Sequence, residues 1–484
     1  MQFSQLPRSM EENIQNHKIT SSLCISLLLV GAGLWEVTLG WEQLLGWIPS
    51  QHALYPATGT FYNPGPYCAF LGIIMPIAVY LVLKKDFALT YWIGLIYIML
   101  AIGLMPTLMG RTGWIAAVVG SLTVALGCNR IIRPSFLMAI GIVVLAVLAT
   151  VLLVCLKPAS ALGRLFLWRI GLSAIFEEPL TGVGWSNVSG ALGNAQESYF
   201  AKHPDSLFVN VAGSPEYAFN EFLQIGIAFG IPAMMLFCAV LIGAATSLWR
   251  SRQYGLCGGV TAFCIVCFSS YPLQFPEYTA VIAILLVCAV FVAKLKGFII
   301  NISLCIMICA FASLVLWLQM DRFDKVEDWS RKRYLAQYPL DARTIHLLDS
   351  LTTDYGLNPQ FLFDYGKALR ESGLLTKSND ILLRGVDISS DPMFLVLIGR
   401  NYEDSDQYKI AENFYFRAIN RLPSRMYPRY LLARMYVRPE VNDTSKFMVM
   451  YKSVLEMSPK VMSPAIRQMR EELDSLRSAT IFEK

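Results

Sequence analysis

The sequence predicts an all-α membrane protein: a polytopic transmembrane helical bundle of about nine spans, followed by a soluble α-helical repeat domain. Three observations carry this reading. The chain of 484 residues is 55% hydrophobic and only 15% charged, with a mean hydropathy of +0.48, whereas soluble proteins carry roughly 25% charged residues. The deficit is uneven: residues 19–318 form a series of apolar runs, and residues 321–484 have ordinary soluble composition. In that second part, small residues recur at a fixed spacing.

A hydrocarbon core about 30 Å thick takes about 20 apolar residues in a helix. The runs 19–39, 66–83, 91–108, 112–128, 135–156, 221–248, 256–271, 278–293 and 297–318 reach or approach that length. The fourth, seventh and eighth are short. The seventh and eighth can also pair as a re-entrant unit, which leaves the parity of the rest unchanged. No A-x-A-like site follows the first run, so it reads as a span rather than a cleaved signal.

Orientation follows from charge, because Lys and Arg concentrate in cytoplasmic loops. The clusters Arg8 with Lys18, Lys84 with Lys85, Arg130 with Arg133, Arg250 with Arg252 and Lys294 with Lys296 all fall inside if residues 1–18 are cytoplasmic. Loops 40–65, 157–220 and 272–277 then lie outside, as does the domain 321–484. Loop 40–65 carries Glu42 and His52, and the long loop 157–220 carries Arg164, Arg169 and His203. Arg111 stands at an outer helix end and breaks the positive-inside pattern. Ionisable groups at such depth are costly and mark functional positions, with snorkelling to the interface as the alternative.

In the soluble part Gly366, Gly399 and Ala433 recur at spacings of 33 and 34. After Gly399 come Ala411, Tyr415, Ala418 and Pro423; at the same offsets after Gly366 come Ser378, Leu382, Gly385 and Ser390. Small residues let paired helices approach, the large residue fills the gap and proline ends the second helix. The pattern resembles the tetratricopeptide repeat, with a third copy at 431–459 that needs one inserted residue. The resemblance implies a surface for a protein partner and no chemistry of its own.

Several function classes find no support. The net charge of +5 comes without a basic motif block, so no nucleic-acid partner is expected. The four histidines His17, His52, His203 and His346 are scattered. The eleven cysteines lie in or beside apolar runs, and Cys264 with Cys267 sits inside one. They read as buried thiols, and neither a metal nor another cofactor is expected.

Four stretches of the membrane part stand out. Ala57–Ala78, ATGTFYNPGPYCAFLGIIMPIA, carries Gly59, Asn63, Pro64, Gly65 and Pro66, which impose irregular backbone before a helix. Gly110–Ala117 reads GRTGWIAA, Gly163–Trp185 reads GRLFLWRIGLSAIFEEPLTGVGW, and Glu216–Ala233 reads EYAFNEFLQIGIAFGIPA. In this order they resemble the O-antigen ligase and O-antigen polymerase family. That family has a T-G-x-F-x-N-P segment and an Arg-Gly or Arg-x-Gly turn. R-x-x-x-W follows, then P-L-x-G-x-G, then H-N-x-x-L-Q. The resemblance covers roughly residues 40–250. The TGTFYNPGPY form with a repeat tail is similar to the variant found in Bacteroides-type bacteria.

The resemblance implies a bacterial inner-membrane enzyme with a periplasmic C-terminal domain. It would move a glycan from a polyprenyl diphosphate donor to an acceptor: a lipid A core, another glycan or a protein. Ligase and polymerase both remain open. By the same resemblance Arg111 and Arg164 match the arginines that hold the diphosphate, with Arg169 assisting and Asn63 and Asn220 in the substrate-binding motifs. Guanidinium forks suit phosphate oxygens, so the physics agrees. The chain departs from the family at Phe219, in Phe219-Asn220-Glu221-Phe222-Leu223-Gln224, where many members have His. Activation of the acceptor hydroxyl then falls to Glu221, Glu216 or His203, or is left to the arginines alone. A single span precedes the TGTF segment, where longer members have several. Two other readings carry their own expectations. A non-catalytic scaffold of an envelope polysaccharide pathway, recruiting partners through the repeats, would tolerate loss of the arginines. A transporter would place more ionisable groups within the spans.

Overall fold

A computed structural model describes residues 8–128, 158–293, 298–337, 340–458 and 462–482. All its regular elements among these residues are helical. Among the described residues seven helices are long and apolar enough to cross a membrane: Ser22–Leu44, Pro64–Lys84, Ala88–Leu108, Arg111–Cys128, Glu221–Arg250, Pro276–Ala293 and Ile300–Ala336. The chain is thus a multi-pass membrane protein. The expectation of nine spans adds the shorter apolar helix Tyr254–Ser269 and the run 135–156, which lies outside the described residues.

The chain divides into two compact units. The first holds residues 1–157, 219–222 and 235–320. Its described helices are α1 (Arg8–Leu44), α2 (Pro64–Lys84), α3 (Ala88–Leu104) and α4 (Arg111–Cys128). It also holds both ends of α7 (Glu221–Arg250), all of α8 (Tyr254–Ser269) and α9 (Pro276–Ala293), and the apolar part of α10 (Phe298–Lys332). At its centre α2 is apolar all round and packs against α1, α3, α4 and α8. Lipid supplies no hydrophobic drive between helices, so close packing of small residues must hold them. A Cβ on Gly72 would lie 2.3 Å from the Gly113 carbonyl oxygen, and one on Gly113 the same distance from that of Cys68. Gly120 and Gly258 face one another's carbonyls in the same way, at 2.8 and 2.7 Å. Backbone thus meets backbone along α2, α4 and α8.

The second unit holds residues 158–218, 223–234 and 321–484. The segment expected as a long outer loop is largely helical here: α5 (Pro158–Glu177) and α6 (Val188–Lys202) occupy most of it. Phe166, Ile170 and Ala174, one face of α5, are buried with Val188, Leu192 and Ala195 of α6. Neither helix was among the apolar runs taken as spans, so span placement left both in the loop. The unit continues through the end of α10 into α11 (Ala342–Tyr355), α12 (Pro359–Glu371), α13 (Leu375–Ile388), α14 (Met393–Asp404), α15 (Tyr408–Arg421), α16 (Tyr427–Tyr436), α17 (Thr444–Glu456) and α18 (Pro464–Phe482).

These helices pair in sequence, and the recurring small residues mark where they touch. A Cβ on Gly366 of α12 would lie 2.6 Å from Leu382 of α13, and one on Gly399 of α14 would lie 2.7 Å from Tyr415 of α15. Buried polar groups are matched at the same seams. Ser378 donates to the Gly366 carbonyl at 2.7 Å, and Asn401 donates to Asn379 at 2.7 Å.

Helix starts are capped by side chains. Asp341 accepts from the Thr344 N–H at 2.7 Å, Asn358 from Gln360 at 2.9 Å and Asp443 from Lys446 at 3.0 Å. Each satisfies an orphan first-turn donor. The bond from Thr344 holds the Asp341 carboxyl below the usual carboxylate range, and the Lys446 N–H does the same for Asp443. A carboxylate depressed in the folded state contributes stability above its unfolded pKa of about 3.9 and loses it as pH falls through the lower folded value. Acidification below about pH 4 is therefore expected to lower the melting temperature of this unit. An Asp341→Asn/Asp443→Asn variant should show a flatter melting-temperature profile over that range.

Candidate functional site

Three of the sequence-selected stretches lie wholly or partly in the membrane unit. In Ala57–Ala78 the backbone of the TGTF turn is read by one buried side chain. Gln43 of α1 accepts from the N–H groups of Thr58 and Gly59, both at 2.8 Å, and donates to the Gly59 carbonyl at 3.1 Å. Gly59 has φ of +55°, and a Cβ there would lie 2.6 Å from a Glu36 carboxylate oxygen. Phe61 is fully buried in an aromatic cluster with Tyr67, Phe70, Phe275 and Tyr278. Asn63 is exposed and caps α2, accepting from the Gly65 N–H at 2.9 Å, with Pro64 at the first helical position. Its cap explains the N-P pair locally, beside the substrate-binding role that the resemblance implies. Gln43 also lines an open cavity of about 620 Å³, together with Trp47, Ser50, His52 and Tyr55.

Arg111 opens α4 and is half-buried. Met109 before it takes a left-handed turn with φ of 51°. Gly110 beds on Cys68, whose thiol donates to the Gly110 carbonyl at 3.2 Å. The neighbouring Thr112 shares a hydrogen bond of 2.9 Å with Ser269 of α8. The Arg-x-Gly spacing thus has a packing reason. Gly113 must be glycine because α2 backbone lies against it, and the arginine precedes that contact by two residues.

At the start of α7, Phe219 also takes a left-handed conformation, φ 49°, which is unfavourable for a bulky residue. Its ring meets Tyr271 edge-on at 4.9 Å. Asn220 is buried, and Glu221 is fully buried. Glu221 Oε1 accepts from the Leu273 N–H at 2.7 Å, and Gln319 donates to the Leu273 carbonyl at 2.7 Å. The second Glu221 oxygen has no hydrogen-bond partner among the described residues. A buried carboxyl oxygen left in this way is available to an incoming donor.

A further pair of carboxyl groups was not singled out from the sequence. Glu36 of α1 is 5% exposed, and Glu277 stands in the first turn of α9. Thr60 of the TGTF turn bridges them: its Oγ lies 3.0 Å from an oxygen of each. The Thr60 N–H also donates to Glu36 at 3.3 Å. Lone acidic residues in apolar runs were the available signal, since each is costly there. Their pairing is a tertiary fact: the two stand far apart in sequence, joined through Thr60.

Arg164, Arg169 and His203 belong to the second unit. Arg164 on α5 is half-buried. Arg169 is exposed, and its guanidinium stacks over Tyr199 at 4.9 Å. His203 is exposed at the end of α6 and packs edge-on against the same Tyr199 ring at 4.8 Å. Glu216 is exposed in the same unit. Arg169 and His203 therefore flank one tyrosine, an association that their spacing did not reveal.

The Pro179–Trp185 stretch, PLTGVGW, is explained by α7. Gly230 interrupts that helix with φ of 83° and ψ of 173°, and Pro232 follows. Pro232 lacks the N–H that the Ala228 carbonyl would receive, and the break also frees the Ile227 carbonyl. Val183 and Gly184 donate to these two carbonyls, each at 2.9 Å, and the Ile231 N–H turns to Pro179 O at 2.8 Å. Gly182 (φ +65°) and Gly184 (φ +89°) let the strand-like segment make this approach. A family model described as O-antigen ligase matches residues 95–238. Over those residues the chain is similar to the O-antigen ligases. The matched segment is under a third of the chain and contains Arg111, Arg164, Arg169, His203, Asn220 and Glu221. Asn63 and the Glu36–Thr60–Glu277 group lie outside it. No curated protein and no solved structure matches the chain.

Proposed function

We propose that this protein transfers a glycan from a polyprenyl diphosphate carrier to an acceptor hydroxyl at the outer, periplasmic face of a bacterial inner membrane. The observation that carries the reading is the likeness to O-antigen ligases over residues 95–238. Arg111 and Arg164, the arginines that match the family pattern, lie within it. In this reaction the acceptor oxygen attacks the anomeric carbon, and the bond from that carbon to the diphosphate oxygen breaks. The polyprenyl diphosphate leaves with the electron pair, and the acceptor proton passes to a base. Arg111 and Arg164 are assigned to the diphosphate, where charge accumulates as the bond breaks. Arg169 assists, with Asn63, Asn220 and His203 on the substrate side.

Phe219 cannot take a proton, so the base is assigned to a carboxylate. Glu221 is the first choice, because it lies in the same motif and one of its buried oxygens has no hydrogen-bond partner among the described residues. The Glu36–Thr60–Glu277 group, in which one hydroxyl joins two carboxyls, is the second. A general base is worth about 10²–10⁴-fold in rate. Glu221→Gln is expected to lose activity on that scale while keeping its acceptor bond to Leu273, since a carboxamide oxygen can still accept it. A Glu221→Gln enzyme as fast as the parent, beside a slowed Glu277→Gln enzyme, would move the role to the pair. The acceptor is a glycan, a lipid A core or a protein. The C-terminal helices, with their tetratricopeptide-like spacing, lie in the same compartment as the acceptor in this reading. The direct test is to incubate purified full-length protein in vesicles with a polyprenyl diphosphate glycan. Release of free polyprenyl diphosphate with formation of a glycosylated acceptor supports the reading. Unconsumed donor across the acceptor classes overturns it.

A further inference from the structure

The second unit contains an internal docking event that neither composition nor the repeat pattern announces. One face of α6 packs on α5, through Val188, Leu192 and Ala195 against Phe166, Ile170 and Ala174. The opposite face lies on the C-terminal ends of α13 and α15. A Cβ on Gly190 would stand 1.9 Å from the Asp387 carbonyl oxygen, and one on Gly193 would stand 2.9 Å from the Ser390 backbone. At those two positions α6 touches the helix pairs backbone to backbone, which only glycine permits.

The contact is polar as well as close. The side chain of Arg421, the last residue of α15, is 0% exposed. It donates to Asn194, to Glu197 at 3.2 Å and to the Ser389 carbonyl at 3.2 Å. Arg417 donates to the other Glu197 oxygen at 2.6 Å. Gln196, 1% exposed, donates to the Arg421 carbonyl and, at 2.9 Å, to the Gly213 carbonyl. Ser189 accepts from the Ser390 N–H at 3.1 Å and donates to Pro215 O at 2.8 Å. Carbonyls at two helix ends, which helices leave without internal partners, are thus satisfied by α6 and Arg421. Burial presses the Arg421 guanidinium below the usual arginine range, and Glu197 opposes the effect. Removing one partner of such a group leaves the others buried and unpaired, so the contact is made as a set or not at all.

We infer that the C-terminal helices act in cis as a clamp: they hold α6, and through it the arginine-bearing helix α5, with Arg421 as the central positioning residue. The surface on α13 and α15 is already occupied by the protein's own chain, so it does not serve to recruit a partner. The inference rests on the proposed glycan transfer only for its kinetic consequence; the clamp itself is a matter of local structure.

The test uses the full-length protein and approaches the contact from both sides, with Arg421→Ala and Gly190→Leu. Hydrogen exchange followed by mass spectrometry reads the clamp. Both variants should raise exchange of residues 158–202 at least tenfold while leaving 393–404 protected, as expected for release of one local unit. Transfer assays read the consequence. Misplacement of a reacting group by about 1 Å costs on the order of 10²-fold, so kcat should fall on that scale with donor KM little changed. Arg421→Lys keeps the charge but not the fork and should recover part of both losses. Unchanged exchange in both variants overturns the clamp. Released helices with undiminished kcat overturn its positioning role. A parent protein that transfers no glycan fails the functional proposal, while the exchange result still decides the clamp.

Discussion

Replacing Arg111 with Ala is expected to lower glycan transfer by about 10²–10³-fold, the loss that follows removal of one preorganised donor to a developing anion. The effect should appear in kcat, because charge on the departing diphosphate is greatest in the transition state. The position argues that the protein survives the change. Arg111 is a half-buried residue at a helix start. The packing that places α4 runs through Gly110 and Gly113 on Cys68, and through Thr112 on Ser269. Arg111→Lys keeps the charge but loses the two-pronged geometry, so it should recover only part of the rate. Arg164→Ala should behave alike. Full activity in both single variants, with normal amounts of protein in the membrane, would refute the role of the arginines.

The second large effect is structural. Gly230→Val is expected to destabilise the second unit by about 3 kcal/mol or more, through two separate terms. The backbone at Gly230, φ 83° and ψ 173°, lies in a region that is essentially reserved for glycine and costs other residues about 1–3 kcal/mol. A Cβ there would also lie 2.4 Å from the Leu180 carbonyl oxygen, and backbone can move aside only by giving up its own bonds. Those bonds are the ones from Val183 and Gly184 to the Ile227 and Ala228 carbonyls. Their loss would leave two carbonyls unsatisfied. Proteolysis of the 178–186 segment in detergent checks this. Gly230→Val should be cut there at low protease where the parent is intact. Gly243→Val, at a glycine of the same helix with open space around it, serves as the control. Equal resistance of both variants would contradict the pinning of PLTGVGW to the kink.

These two cases mark what could be read in advance. The apolar runs were legible because a helix in lipid needs length and apolarity and little else. The helix pairs of the C-terminal part were legible through Gly366 and Gly399, since close approach demands small residues at fixed offsets. Arg111 stood out as a cation at an outer helix end against the positive-inside pattern, and Arg164 only through the family resemblance. Segment 157–220 was read as a loop because it falls between two apolar runs and was placed only by the span and charge pattern. Gly190 and Gly193 are in fact contact surfaces of a helix, and Gly182 and Gly184 are a backbone splice. Glu36 and Glu277 went unread because neither lies in a motif, and a carboxylate dyad exists only where folding joins its members.

By itself the sequence determined composition-driven properties: a multi-pass membrane protein of the all-α class, with arginines in stretches like those of O-antigen ligases and a C-terminal part built from paired helices. Each of these depends on local periodicity or residue type, which the chain carries regardless of its partners. Only the tertiary structure decided which groups meet. It joined Thr60 to both Glu36 and Glu277, gave one oxygen of buried Glu221 no partner among the described residues, and seated α6 on α13 and α15 around Arg421. Such contacts link residues tens to hundreds of positions apart. Their energies come from burial and from hydrogen bonds between distant residues, and neither leaves a period in the sequence.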